Sequence, residues 1–500
     1  MTSLRALPRL ERPDDTRVVH DALLAAGYTV PTVCARVGRE SIYEAWGRDI
    51  PGDAPLDDAL DALIWLFLDS RRIPTSIAKA RLGSSLWDAL GRLDLVRSVD
   101  AETCGATVLL VPTESLLVAS DLPGYDFDPL PDDAVYPAIT KNTRAFVATL
   151  PRTPCDRFLE ICAGSGIAAL LAAPHANHAW SADLTQRATH YARFNAQLNG
   201  FDNFSAVAGD LYEPVAGSTF DRIAAHPPYV PTADISMIYR DGGADGEQIT
   251  RRVIKELPPY LAPGGVCYCT CVATDRAGAP LEARIREWLG GAGNALDVMM
   301  VVMRSSVPEE RIGEMVSEGL VDQAEAERKV APLVAMGIER QVYVSMAFRR
   351  YEGDRRPITS RRVLGKRVSP GMLGRLVRWE SELADRSQLP AVMAMRLKLT
   401  PDTRRQTMER LVNGSWEPAA RHLTRERPFT VRAEYDPAVS ALLSRVDTAG
   451  ERTVREHWES MRQDGVLPAA VDEWTFATVV RSLAASGIMD DAAEQPRTPG

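Results

Sequence analysis

Between residues 15 and 95 apolar side chains recur every three or four positions, in VVHDALLAAG (18–27), LDDALDALIWLFL (56–68) and SSLWDALGRL (84–93). That period predicts amphipathic helices. Short β-rich pieces follow, and TVLLVPTESLLVASD (107–121) reads as a hairpin. Helices closed by a hairpin predict a small winged-helix-like domain ending near residue 125. From about 130 the pattern changes to short apolar runs alternating with helical ones: RFLEICA, HAWSADL, FSAVAGD, FDRIAAH, GVCYCTCVA, LDVMMVVM and RQVYVSMAF. Strands alternating with helices predict right-handed βαβ units and a parallel sheet. The expected class is α/β: a doubly wound, seven-stranded sheet with a terminal antiparallel hairpin. Between the last two strands, residues 308–337 read as an amphipathic helical insertion.

After residue 350 an arginine-rich passage with Pro and Gly interruptions (349–378) marks a boundary or linker. The remainder reads as a small, mainly helical domain with some β, its helices expected at PDTRRQTMERLVNG (401–414) and ERTVREHWESMRQDG (451–465). DDAAEQPRTPG (490–500) reads as a frayed tail. The expected domains are 1–125, 126–350 and 351–500. The N-terminal one is expected to serve as a dimer interface or substrate lid ahead of any nucleic-acid contact.

Composition narrows this only a little. A chain of 500 residues with 45% hydrophobic and 25% charged residues is ordinary globular protein of two to four domains. A net charge of -9 argues against a surface that traps nucleic acid as a whole. The 349–378 arginines are accordingly read first as partners for the chain's own acids, with phosphate contact second. No apolar run is long enough to span a bilayer and the first residues lack a secretory core, so a cytoplasmic location with no membrane partner is expected. The seven cysteines show no CxxC spacing, and Cys267, Cys269 and Cys271 alternate along one strand, which predicts burial on one face rather than a metal site.

The candidate chemistry lies at the strand ends. The first strand of the αβ region runs into Glu160-Ile161-Cys162-Ala163-Gly164-Ser165-Gly166, and a helix follows. Glycines at such a turn let a ligand approach the backbone and the free N–H groups beyond it. Asp183 ends the next strand, about where an acid would accept ribose hydroxyls. Asp210 ends the third. A third glycine of a dinucleotide motif is replaced by Ala169, which decides nothing. The fourth strand ends in His226-Pro227-Pro228-Tyr229, where two prolines must stop the ladder and stiffen the loop.

Taken together, these features resemble the class I S-adenosylmethionine-dependent methyltransferases. More narrowly, they resemble the release-factor glutamine N5-methyltransferase group, whose fourth-strand loop reads Asn-Pro-Pro-Tyr and which carries a passage similar to Asp241-Gly242-Gly243-Ala244-Asp245-Gly246. The resemblance covers about residues 135–350. It implies S-adenosylmethionine as cofactor, held by Glu160, Cys162, Ala163, Gly164, Gly166, Asp183, Leu184, Asp210, Leu211 and His226. It also implies His226, Pro227 and Tyr229 as the residues that position the acceptor, with Tyr229 as an aromatic wall. The one departure is His226 in place of asparagine. A neutral imidazole offers one acceptor nitrogen and a protonated one offers none, so the rate is expected to fall as pH drops through about 6.5. The expected activity is methylation of a nitrogen in a protein side chain or small metabolite; the alternatives are base methylation in RNA or DNA, and a scaffold that binds the cofactor without turnover.

Overall fold

The computed structural model describes residues 6–44, 56–122, 130–232, 236–317, 319, 321–365, 371–446 and 450–493. The chain divides into two compact units, one of residues 1–147, 152–272 and 331–336, the other of 148–151, 273–330 and 337–500.

In the first unit the expected N-terminal helices are present as α1 (Pro13–Ala25), α2 (Val30–Val37), α3 (Ala59–Leu63) and α4 (Thr75–Arg92). Strands β1 (Ile73–Pro74), β2 (Val96–Ser98) and β3 (Thr103–Ala106) form a small antiparallel sheet in the order β1-β3-β2. The expected hairpin also forms, from β4 (Val108–Thr113) and β5 (Leu116–Asp121), but as a separate sheet. The sequence explains the difference. VLLVPT and LLVASD are apolar on both faces, and every position of both strands is buried, so this hairpin cannot stand in solvent as a wing.

Its cover is a helix of the αβ region. After α5 (Lys141–Ala148) come β6 (Cys155–Ile161), α6 (Ile167–Ala172), β7 (Ala176–Asp183), α7 (Gln186–Leu198), β8 (Phe204–Ala208), β9 (Phe220–Ala225), α8 (Gln248–Glu256) and β10 (Leu261–Arg276). Two asparagines one turn apart, Asn195 on α7 and Asn199 at its C-terminal cap, replace a missing strand along β5. Asn195 accepts from the Ala119 amide at 2.7 Å and donates to its carbonyl at 3.0 Å. Asn199 does the same for Leu117 at 3.0 and 2.8 Å. Asp121, buried, takes the Arg187 guanidinium, the Tyr191 hydroxyl at 3.1 Å and the Val135 amide at 2.8 Å. A buried charge is tolerated only with such a full set of donors.

Strands β10, β9, β6, β7 and β8 lie side by side in that order and all run parallel. The chain steps outward from β6 through β7 to β8, then returns to the other side of β6 for β9. The strand order therefore reverses at β6, and a parallel sheet of this kind opens a crevice at the carboxyl ends around such a reversal. Cys267, Cys269 and Cys271 of β10 are buried as expected.

The second unit contains α9 (Leu281–Leu289), β11 (Leu296–Ser306) and β12 (Ile338–Arg350), the last two forming the expected antiparallel pair. The 308–337 insertion folds as two helices, α10 (Pro308–Ser317) and α11 (Gln323–Ala335). The arginine-rich passage is not a linker. It supplies β13 (Thr359–Val363), parallel to β11, and several of its arginines are taken by the chain's own acids. Arg361 pairs with Asp275 at 2.8 Å, Arg362 with Glu380 at 2.5 Å, Arg378 with Asp491 at 2.7 Å, and Arg355 and Arg375 with Asp297 and Asp490. The self-pairing reading holds for these arginines.

The rest of this unit comprises α12 (Met372–Leu376), α13 (Leu389–Ala394), β14 (Leu397–Leu399), β15 (Arg404–Val412), β16 (Ser415–Arg425), β17 (Val431–Glu434), α14 (Pro437–Arg445), α15 (Val454–Gln463), α16 (Glu473–Ala485) and β18 (Met489–Asp491). Residues 451–465 give α15 as expected, opened by a Thr453/Glu456 capping box. Residues 401–414 do not form a helix; β15 and β16 are a hairpin around Asn413-Gly414, both at positive φ. The tail is also shorter than expected, because Asp490 and Asp491 belong to β18; residues 494–500 lie outside the described residues. Among the described residues no single helix is long and apolar enough to cross a membrane.

Candidate functional site

The site forms at the carboxyl ends of β9, β6, β7 and β8. At β6 the chain turns through Cys162 at φ 55° and Gly166 at φ 79° into α6. A side chain at 166 would also meet the Ala192 methyl at 3.1 Å, so glycine there serves both the turn and the close packing of α7. Asp183 at the tip of β7 holds this turn. One carboxylate oxygen accepts from the Gly164 amide at 2.8 Å, the other from the Thr185 amide at 3.0 Å. Asn195 adds a bond to the Ser165 carbonyl at 3.0 Å, tying the same turn to the buried hairpin.

Both acids at this turn are shifted. Burial raises the Asp183 carboxyl above its ordinary range against the pull of its backbone donors. Burial pushes the Glu160 carboxyl up to about 8, opposed by the amides of Ala169, at 2.9 Å, and Ala168. Cys162 beside them has its thiol raised by burial and then by the charges of Asp183, Asp210 and Glu160.

A carboxyl with a folded pKa above its unfolded value stabilises the fold below the unfolded pKa, and that contribution is lost as pH rises through the folded value. Stability is therefore expected to decline between about pH 4.5 and 8 through Glu160. E160Q keeps an acceptor for the Ala169 amide without the charge. It is expected to exceed the wild type by about 5 kcal/mol at pH 9 and to match it at pH 5. Thermal unfolding at the two pH values measures this; identical curves at pH 9 would mean that the carboxylate is not desolvated.

Asp210 follows β8 and lies in the open, where Arg252 of α8 grips it with two bonds of 2.9 and 3.1 Å. Leu211, next to it, is at φ 48°. Leu184, directly after Asp183, is 56% exposed. A large apolar side chain bare at a strand tip beside a hydroxyl-accepting acid is a surface that a planar base would cover. Asp183, with two lone-pair positions used by amides, retains others for ribose hydroxyls. The residues present therefore fit a nucleoside-bearing ligand such as S-adenosylmethionine.

The loop after β9 sits on the same edge as Asp183, as the reading of the motif requires. The His226 ring stacks on Phe146 of α5, with centroids 5.0 Å apart at 17°, and lies 5.6 Å from the Tyr229 ring. Its Nε2 is shielded from water and has no hydrogen-bond partner among the described residues. Burial pushes the imidazole pKa down to about 4, so the ring is neutral across the physiological range. The expected titration near 6.5 is corrected accordingly. The Tyr229 hydroxyl accepts from the Asn142 carboxamide at 2.6 Å. Neither Asn142 nor Phe146 was legible as a site residue, since each lies more than eighty positions from the loop with no motif around it.

The 241–246 passage clamps this loop from behind. Gly242 donates to the Val230 carbonyl at 2.8 Å, Val230 to Arg240 at 2.9 Å and Thr232 to Gly243 at 2.9 Å. Asp241, buried, anchors the passage by accepting from the amides of Ser236 and Met237 at 2.8 and 2.9 Å. A Cβ on Gly242 would lie 2.8 Å from the Tyr229 Cα and 2.5 Å from the Gly246 carbonyl oxygen, both backbone atoms. G242A must therefore displace the loop. Because misplacement on the scale of an ångström erodes near-attack geometry, it is expected to lower kcat about tenfold. Donor affinity should be unchanged. Calorimetry of the donor beside a turnover assay checks both, and an unchanged kcat would detach the passage from the chemistry.

Residues 135–288 match the family model described as methyltransferase small domain. Similar curated proteins include a putative protein N5-glutamine methyltransferase of Methanocaldococcus jannaschii, 40% identical over 115 residues, or 22% of this chain and 57% of that one. The ribosomal protein uL3 glutamine methyltransferase of Bradyrhizobium diazoefficiens is 32% identical over 130 residues (23% and 41%), and the release factor glutamine methyltransferase of Thermodesulfovibrio yellowstonii 31% over 126 (23% and 45%). The chain spans about half the length of these relatives. Among solved structures, the N-methyltransferase NodS of Bradyrhizobium japonicum with S-adenosyl-L-homocysteine aligns with 42% of this chain and 85% of its own at 17% identity and a TM-score of 0.24.

Proposed function

We propose that this chain, whose residues 135–288 match the methyltransferase small domain family model, moves a methyl group from S-adenosylmethionine to a side-chain amide nitrogen of a protein. Curated relatives named for glutamine methylation support the acceptor class. The observation that carries the reading is the unpartnered, water-shielded Nε2 of His226 on a proline-stiffened loop at the crevice. Such an atom costs free energy unless a ligand supplies its missing donor.

The bound cofactor supplies an electrophilic methyl on a sulfonium. The chain's own residues do the rest. Asp183, Gly164 and Leu184 form the nucleoside seat, with Asp210 at its outer edge. Neutral His226 would accept one N–H of the acceptor and the Pro227 carbonyl another, which aims the nitrogen at the methyl for in-line displacement. That displacement leaves the thioether of the demethylated cofactor, and one N–H proton passes to solvent. Tyr229, steadied by Asn142, walls the pocket. The β1-β3-β2 sheet behind α4 supports a winged-helix-like N-terminal domain, for which a substrate-facing role is proposed.

The base-methylation alternative drew on the 349–378 arginines and on the winged-helix reading, and the acid partners of several of those arginines weaken the first of these supports. The test supplies methyl-labelled donor and purified chain to a protein extract lacking the chain. The expected product is label on glutamine side chains, located by peptide mass spectrometry. Label in the nucleic-acid fraction alone, or no binding of donor by calorimetry, would overturn the reading.

A further inference from the structure

The second unit holds a sheet whose chemistry the methyl-transfer site does not use. Strands β15, β16 and β17 form an antiparallel three-stranded sheet, and β15 is exposed along nearly its whole length. Residues 404–434 contain seven arginines and four glutamates in a chain of net charge -9. Arg404, Arg405, Arg410, Arg421 and Arg432 on its strands are exposed and have no carboxylate partner among the described residues, unlike the paired arginines of 349–378. The three glutamates on the strands hold none of them, not even Glu417, which stands opposite Arg410 in the ladder.

At the tip, the Asn413-Gly414 turn sets Leu411 opposite Trp416, and these are 56% and 67% exposed. An indole left this bare on a two-residue hairpin has no role in a core. The register places Arg421, opposite Thr407, on the same face as this pair, four β15 residues away or about 13 Å at strand rise. Arg405 continues the row two residues further, with one guanidinium bond of 3.2 Å to the Ser444 hydroxyl, and Glu409 shares this face between Leu411 and Thr407. Guanidinium groups in a line ending at a free aromatic face match a backbone of phosphates with unstacked bases.

We infer that the β15–β17 sheet is a docking surface for single-stranded nucleic acid, through phosphate contacts at Arg405 and Arg421 and base stacking on Trp416. This role is separate from the methyl acceptor. Arg425 takes no part, because its half-buried guanidinium is engaged by Pro401 and Thr403.

The test uses the full chain and a fluorescently labelled 12-nucleotide single-stranded RNA of mixed sequence, followed by anisotropy at 50 and 200 mM salt. Wild-type affinity is expected to fall about sevenfold over that range through counterion release at two phosphates. W416A is expected to weaken binding about tenfold at either salt, the usual worth of one stacked base. R421E is expected to lower the slope of log K against log salt by about one or more. Because both residues are exposed, melting temperatures should stay at the wild-type value. The proposal is overturned if the wild type does not bind at 50 mM salt, or if W416A and R421E bind as the wild type does. It is also overturned if polyglutamate displaces the RNA as well as unlabelled RNA does, which would make the partner an acidic protein.

Discussion

D183A is expected to weaken S-adenosylmethionine binding about a thousandfold. Two effects combine. The carboxylate would accept ribose hydroxyls, and hydrogen bonds to a charged acceptor are each worth about 1.5–3 kcal/mol. It also pins the glycine turn, since its oxygens take the Gly164 and Thr185 amides at 2.8 and 3.0 Å. Without it, two amide donors lose their partner and the turn loses the conformation in which it meets the ligand. About 4 kcal/mol in all corresponds to the thousandfold loss. The fold itself should tolerate the change better than the affinity does, because burial already holds this carboxyl at an energetic disadvantage. D183N separates the effects: it presents one acceptor oxygen but a second group that can only donate, so it should bind at an intermediate level. Calorimetric titration with donor, alongside thermal unfolding, makes the measurement. A Kd within threefold of wild type for D183A would empty the strand-tip crevice of its assigned ligand.

That crevice was legible in the sequence for a specific reason. Strand ends in a parallel sheet are marked twice, by the loss of an apolar run and by the residue that faces the ligand. Glu160, Asp183, Asp210 and His226 each carry a polar side chain where an apolar run ends, and the structure brings all four to one edge. What was hidden depended on contacts between distant segments. The β4–β5 hairpin was visible, but not its seat on Asn195 and Asn199, because an asparagine pair one turn apart looks like any polar helical face until a strand edge lies against it. The β15 strand was misread as a helix because RRQTMERL has no apolar face of either period, and the Asn-Gly dipeptide at 413–414 was the signal that would have corrected it. β13 was lost inside the arginine-rich passage, whose charges suggested solvent although each of several arginines meets an acid from elsewhere in its unit.

H226A is expected to lower the methyl-transfer rate about a hundred- to a thousandfold, the usual cost of removing one pre-aligned polar group from a reacting centre. H226N should recover the rate to within about tenfold of wild type, because a carboxamide oxygen in the related Asn-Pro-Pro-Tyr loop can accept the same N–H. A purely structural histidine would not distinguish the two, since neither alanine nor asparagine replaces its stacking on Phe146. The pH profile adds a second discriminator. With the imidazole pushed down to about 4, wild-type turnover should be level from pH 6 to 8 as far as this ring is concerned, and should fall only as pH approaches 4. Stability follows the same group with its own sign. The unfolded chain takes up the proton near 6.5 while the folded ring resists it, so stability is lost as pH falls from about 6.5 toward 4, and H226N should be spared that loss. A wild-type rate already halved at pH 6.5, with H226N unaffected, would mean that the ring meets water and that its nitrogen is not held in reserve for the substrate.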